Sequence, residues 1–107
     1  MTLALRYLGF EVSEDADGHV NFDAMASVLP DHVHALQAEV QQVLTWARHH
    51  FAGTEAPLDD GGDWDCDVQT TEEPEAGKPE ATRTTLTLSI TGTVQFAQAF
   101  EQQFSWD

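Results

Sequence analysis

The chain is poor in positive charge. Four Lys and Arg stand against 19 Asp and Glu in 107 residues, a formal net charge of -15. Lys78 is the only lysine. Such a surface repels nucleic acid and anionic membranes, which argues against both as partners. Cysteine is scarce as well. Cys66 stands alone, so no intramolecular disulfide can form, which fits a reducing compartment. No apolar run approaches the roughly 20 residues of a membrane-spanning helix. The N-terminal MTLALRYLGFEV falls short of a secretory leader in apolar length and has no small-residue cleavage site. The expectation is a cytoplasmic protein.

Catalytic signatures are missing too. There is no HExxH, no CxxC, no GxGxxG, no P-loop and no GxSxG. Nineteen acids make many chance carboxylate pairs, and no spacing sets an acid apart from a base. His32 and His34 fall on different sides of a helix, as do His49 and His50, so the histidines do not converge on a metal. These absences point away from an enzyme and imply no cofactor.

What is present is enough for a core. Apolar residues make up 41% of the chain, with three Trp and six Phe. A chain of this length reads as one domain, burying about two-thirds of its unfolded surface without a metal or disulfide. Residues 3 to 25 read as a β-hairpin, because Leu8, Phe10 and Val12, then Val20, Phe22 and Ala24, fall at every second position. Ala16-Asp17-Gly18 suits a three-residue turn. Pairing Asp15 with His19 sets Val12 opposite Phe22 and Phe10 opposite Ala24, so the apolar faces coincide.

Residues 31 to 52 read as an amphipathic helix. Val33, Leu36, Val40, Val43, Leu44, Ala47 and Phe51 follow three-and-four spacing, and Gly53 stops it. An acidic, Gly-rich loop follows to residue 63. Residues 64 to 70 return to strand, with Trp64, Cys66 and Val68 facing the core. Residues 71 to 83 hold two prolines and almost nothing apolar, which reads as a mobile acidic connection. Residues 84 to 91 alternate as a strand. Thr93 then caps a helix carrying Phe96, Phe100 and Phe104. The order is β-β-α-β-β-α. It predicts an α+β fold, a four-stranded, mainly antiparallel sheet with two helices packed on one face. The core expected is Phe10, Val12, Phe22, Val40, Leu44, Ala47, Val68, Leu88, Ile90 and Phe100.

The opposite sheet face is then polar, with Asp65, Asp67 and Gln69 beside Thr85, Thr87, Ser89 and Thr91. Asp63, Asp65 and Asp67 project from one side of a strand, neighbours about 7 Å apart. Their pairwise repulsion is about 0.6 kcal/mol in water, which exposed carboxylates tolerate without an ion. Trp46 falls away from the apolar stripe of its helix. It is either covered by the chain, with loop 53 to 63 the natural cover, or offered to a partner. Cys66, on the core side of an acidic strand, reads as an inert thiol.

The segment SEDADGHVNFDA, residues 13 to 24, partly resembles an EF-hand calcium loop. Asp15, Asp17, Gly18, Val20 and Asn21 occupy matching places, but Ser13 and Ala24 stand where a carboxylate and a bidentate Glu belong. The leading expectation is a non-enzymatic interaction module. It would bind a basic protein through Asp63, Asp65, Asp67 and Trp46. Calcium binding through residues 13 to 24 is the alternative, and an enzyme on a small cationic substrate the third. The acidity also admits a role in solubility or adaptation to high salt.

Overall fold

A computed structural model describes residues 2 to 75 and 78 to 106. The elements run β1 (Leu3–Ala4), β2 (Glu11–Glu14), β3 (Val20–Val28), α1 (Val33–His50), β4 (Trp64–Glu75), β5 (Lys78–Gly92), α2 (Val94–Gln103) and β6 (Phe104–Ser105). Strands β2, β3, β5 and β4 form an antiparallel sheet in that spatial order. Short parallel pairing of β1 with β6 ties the two ends of the chain together. Among the described residues, no helix is long and apolar enough to cross a membrane.

The first hairpin has the register its alternation demands, with Val12 opposite Phe22. The Asp15 N–H donates to His19 O at 3.0 Å, and Gly18 takes φ +81°, the left-handed geometry that closes the turn. The inner face of β3 and β5 presents Val20, Phe22, Ala24 and Ala26 beside Leu86, Leu88 and Ile90, all buried. Both helices cover this face. Leu36, Val40, Val43, Leu44 and Ala47 of α1, with Phe96, Ala97 and Phe100 of α2, complete the core.

Aromatic packing sets the position of α2. Phe96 stacks on Trp64 at 5.6 Å between ring centroids, and Phe100 meets Phe22 at 4.7 Å and Phe10 at 5.4 Å. Gly92 makes this approach possible, since a Cβ there would lie 2.8 Å from Phe96 Cγ. The Phe96 N–H donates to Thr93 Oγ1 at 3.2 Å, the expected cap.

Two expected core residues lie outside it. Val12 is 47% exposed and Val68 is 40% exposed. Both point to the helix side, but they sit on the outer strands β2 and β4. Cys66, next to Val68 on β4, is half-buried.

The connection expected over 71 to 83 also differs. Residues 71 to 75 and 78 to 83 are strand, paired from Thr71 opposite Thr85 to Pro74 opposite Thr82, with a shift to Glu75 opposite Lys78. Ala76 and Gly77, at the centre of that expected loop, lie outside the described residues. The β-branched Thr70, Thr71, Thr82, Thr84 and Thr85 favour extended backbone despite their polarity. Pro74 is on an edge strand, and Pro79 lies past the end of β3, so neither removes a donor needed by a third strand. Beyond Thr84 the ribbon continues as two strands. The radius of gyration is accordingly 15.1 Å, against about 13 Å for a compact chain of this size.

Glu39 has a role that periodicity does not show. It is 7% exposed on α1. Its carboxylate accepts three consecutive backbone N–H groups, from Arg6 at 2.8 Å, Tyr7 at 2.9 Å and Leu8 at 2.7 Å. These bonds hold the segment that delivers Leu8 and Phe10 to the core.

Two outcomes are expected in urea unfolding. Glu39→Ala removes three charge-assisted bonds and costs about 3 kcal/mol, and Glu39→Gln at least half of that, because its amide turns a donor toward donors. Gly92→Ala pushes against a buried ring and costs about 1–3 kcal/mol, whereas Thr93→Ala costs about 1 kcal/mol.

Candidate functional site

The sheet face turned away from the helices is laid out by the strand registers. One row across it reads Ser13, Asn21, Thr91, Asp65. The next reads Glu11, Asp23, Ser89, Asp67. Met25, Thr87 and Gln69 follow, then Ser27, Thr85 and Thr71. Hydroxyls line β5, and carboxylates stand on β2, β3 and β4. Hydrogen bonds fix part of this surface: Thr91 Oγ1 donates to Asn21 Oδ1 at 2.8 Å, and Gln69 Nε2 donates to Asp67 Oδ2 at 3.0 Å.

Glu11 and Asp23 are directly opposite on paired strands. Such neighbours have Cβ atoms about 5 Å apart, and like charges there destabilise a sheet. No Lys or Arg occupies any of these four rows. The nearest cation along β5 is Arg83, whose Nη1 donates to Ser27 O at 3.2 Å at the far end.

Asp65 and Asp67 therefore stand where the alternation puts them. Asp63 does not share their strand, because β4 starts at Trp64. It lies at a corner, where its N–H donates to Thr54 O and its carbonyl accepts from Thr93 N, both at 2.9 Å. Glu11 and Asp23 were not among the expected site residues. Placing Val12 opposite Phe22 already implies that these two acids meet.

At one end of this face the first turn and the loop before β4 enclose a cleft of about 380 Å³, rimmed by Asp15, Asp17, His19, Asn21, Asp59 and Asp65. One ligand-type atom from each of Asp15, Asp17 and His19 lies within 4.8 Å of the others. The Asp15 carboxylate already closes the turn. Its Oδ1 accepts the N–H of Asp17 at 2.9 Å and of His19 at 3.0 Å, and Oδ2 lies 3.5 Å from His19 Nδ1. The His19 N–H is the main influence holding this carboxyl below its ordinary pKa. Strands flank the turn on both sides, not the helices of an EF-hand.

Trp46 lies on the other side of the molecule. Its ring packs against Phe104 at 5.5 Å, Phe100 at 5.9 Å and Phe96 at 6.0 Å, and His50 stacks on it at 5.1 Å. The cover is thus α2 together with Phe104 of β6, not loop 53 to 63. The partly buried ring also lines a groove of about 600 Å³ with Leu3, Gln42, His49, Gln103 and Phe104. Trp46 and the aspartates do not form one site. Cys66 is held above its ordinary thiol pKa by burial and by the nearby Glu55 carboxylate, 3.7 Å from Sγ, which keeps it a protonated, weak nucleophile.

Compared with known proteins, the chain matches no family model, no curated protein and no solved structure.

The turn gives a pH prediction. Because the folded-state value of Asp15 is lowered, the bonds closing the turn are complete above the ordinary carboxylate value of 3.8 and are lost as pH falls through the lowered one. In an NMR titration the Asp15 carboxyl carbon signal should titrate with its midpoint below 3.8, and the His19 amide signal should follow it.

Proposed function

We propose that this protein is a non-enzymatic interaction module whose acidic sheet face docks a basic protein. The supporting observation is the face carrying Glu11, Asp23, Asp65 and Asp67 on a fixed hydrogen-bonded ladder, with two of the acids directly opposed. A carboxylate coat kept only for solubility needs no such opposition, which costs stability in the free protein. A cationic surface laid over the face would relieve it and gain long-range attraction during approach. Inhibitors of nucleases, mimics of nucleic acid and secretion chaperones use the same physics, as an analogy of charge alone. The same repulsion that favours a basic partner disfavours nucleic acid and anionic membranes. The single unpaired cysteine supports a place in the reducing cytoplasm.

The test compares two neutralised variants with the wild type. One carries Glu11→Gln, Asp23→Asn, Asp65→Asn and Asp67→Asn. The other carries the same number of Glu→Gln changes at residues 72, 73, 75 and 80. Immobilised proteins are challenged with cell lysate at low salt, and the association rate of each retained basic protein is followed as salt rises. The sheet variant should associate at least about tenfold more slowly and with a flatter salt dependence, and the hairpin variant should stay near wild type. The sheet variant should unfold at the same or slightly higher urea concentration, by less than about 1 kcal/mol. Equal losses in both variants would reduce the reading to net charge without a site.

A divalent cation at the first turn is the second reading, supported by the mutual closeness of Asp15, Asp17 and His19. A ring nitrogen beside two carboxylates suits zinc better than calcium. Titration calorimetry with each ion, repeated on Asp17→Asn, tests it. Heat that is unchanged in the variant, or no heat at all, ends this reading.

A further inference from the structure

Strand β4 is one of the two outer strands of the sheet, so β5 takes the backbone groups of only one of its edges. At its start the other edge is closed. Trp64 bridges Glu55 in parallel, and the Ala56 N–H donates to Trp64 O at 3.1 Å. The Cys66 N–H is taken by its neighbour's carboxylate, Asp65 Oδ1, at 2.9 Å. From Val68 onward, no strand among the described residues pairs with that edge.

The two sides of this edge differ in chemistry. On the helix side, β4 and α1 leave a groove of about 320 Å³ lined by Gln37, Val40, Gln41, Val68, Thr70 and Leu86. Val68 is 40% exposed because nothing covers it there. On the other side, Asp65 and Asp67 project from the same strand, one residue out of step with Val68. Beyond Cys66 the edge thus offers unpaired donors and acceptors, a mixed floor of valine, leucine, glutamine and threonine below and carboxylates above, in the alternation of a β-strand.

We propose that the basic partner is held by β-strand addition. An extended segment of it pairs with the free edge of β4, setting alternate apolar side chains beside Val68 and the intervening Lys or Arg beside Asp65 and Asp67. This rests on the acidic-face reading and adds the mode of attachment. Main-chain bonds supply affinity, and the two alternating surfaces supply selectivity. The carboxylates also select the occupant. A second copy of this chain brings its own net charge of -15 and is repelled, whereas a basic strand is not. A long open edge can persist under these conditions without pairing with its own kind.

The probe is a synthetic ten-residue peptide of alternating Lys and Val, with both termini blocked. Two further peptides carry N-methyl groups on alternate residues, one on the odd positions and one on the even. All three share the same charge. Binding to the full chain is measured by calorimetry at low salt. Strand addition predicts that one methylated peptide binds more than about tenfold weaker than the parent while the other binds like it, because only one set of N–H groups faces β4. Val68→Gln, which leaves net charge unchanged, should weaken the parent peptide several-fold, and Asp65→Asn with Asp67→Asn should weaken it and flatten its salt dependence. Equal binding of all three peptides overturns strand addition and leaves the acidic face standing. No binding of the parent peptide also overturns it. One-sided methyl sensitivity without any effect of the two Asn substitutions keeps strand addition and removes the acidic face.

Discussion

Of all the carboxylates in this chain, the buried one at Glu39 does the most to hold the fold together. Three successive N–H groups of residues 6 to 8 would otherwise be left unpaired beside α1. Charge-assisted bonds of this kind hold about twice the strength of neutral ones. They fix the stretch between β1 and β2, and with it the entry of Leu8 and Phe10 into the core. The far end of the chain is drawn in by the same region, since β1 pairs with β6 and the Trp106 indole N–H donates to Phe10 O at 2.8 Å. Both termini therefore depend on one side chain of the longer helix.

Charge is distributed unevenly around this frame. Glu39 is the only acid on α1 and Glu101 the only one on α2. The exposed side of α1 carries Gln37, Gln41, Gln42, Thr45 and His49 instead, with Arg48 paired to Glu55. Carboxylates gather on the sheet face, the turns and the projecting ribbon. A molecule built this way presents an acidic side and a nearly uncharged side, so an approaching cation is oriented before contact.

Much of this was legible in the residues because period-two and period-3.6 patterns record which side of an element meets the core. The alternation around Val12 and Phe22 fixed the first register, and the spacing of Leu36 to Ala47 marked the helix. Periodicity marks Trp46 only as a residue off the apolar stripe and does not mark Glu39 at all, because it reports one stripe. They lie seven residues apart, two turns along the same side of α1, where α2 and the N-terminal segment pack. A helix with two contact sides looks amphipathic with errors. The threonines of the ribbon misled in the opposite sense, being polar enough to suggest a loop while their branched side chains favour extension. Asp65 and Asp67 were legible as a face, but Glu11 and Asp23 join that face only through strand order, with β3 and β5 adjacent. Nothing local in a sequence specifies which hairpins lie side by side.

The three tryptophans share one neighbourhood. Trp64 stacks on Phe96, Trp46 leans on Phe96, Phe100 and Phe104, and Trp106 packs on Phe10 and Phe100. All belong to the helix side of the sheet, and none reaches the carboxylate rows. Indole emission and near-ultraviolet dichroism in this molecule consequently report the seating of α2 on the sheet. An event confined to the acidic side leaves those signals unchanged, and following it optically requires a chromophore placed at a site such as Met25.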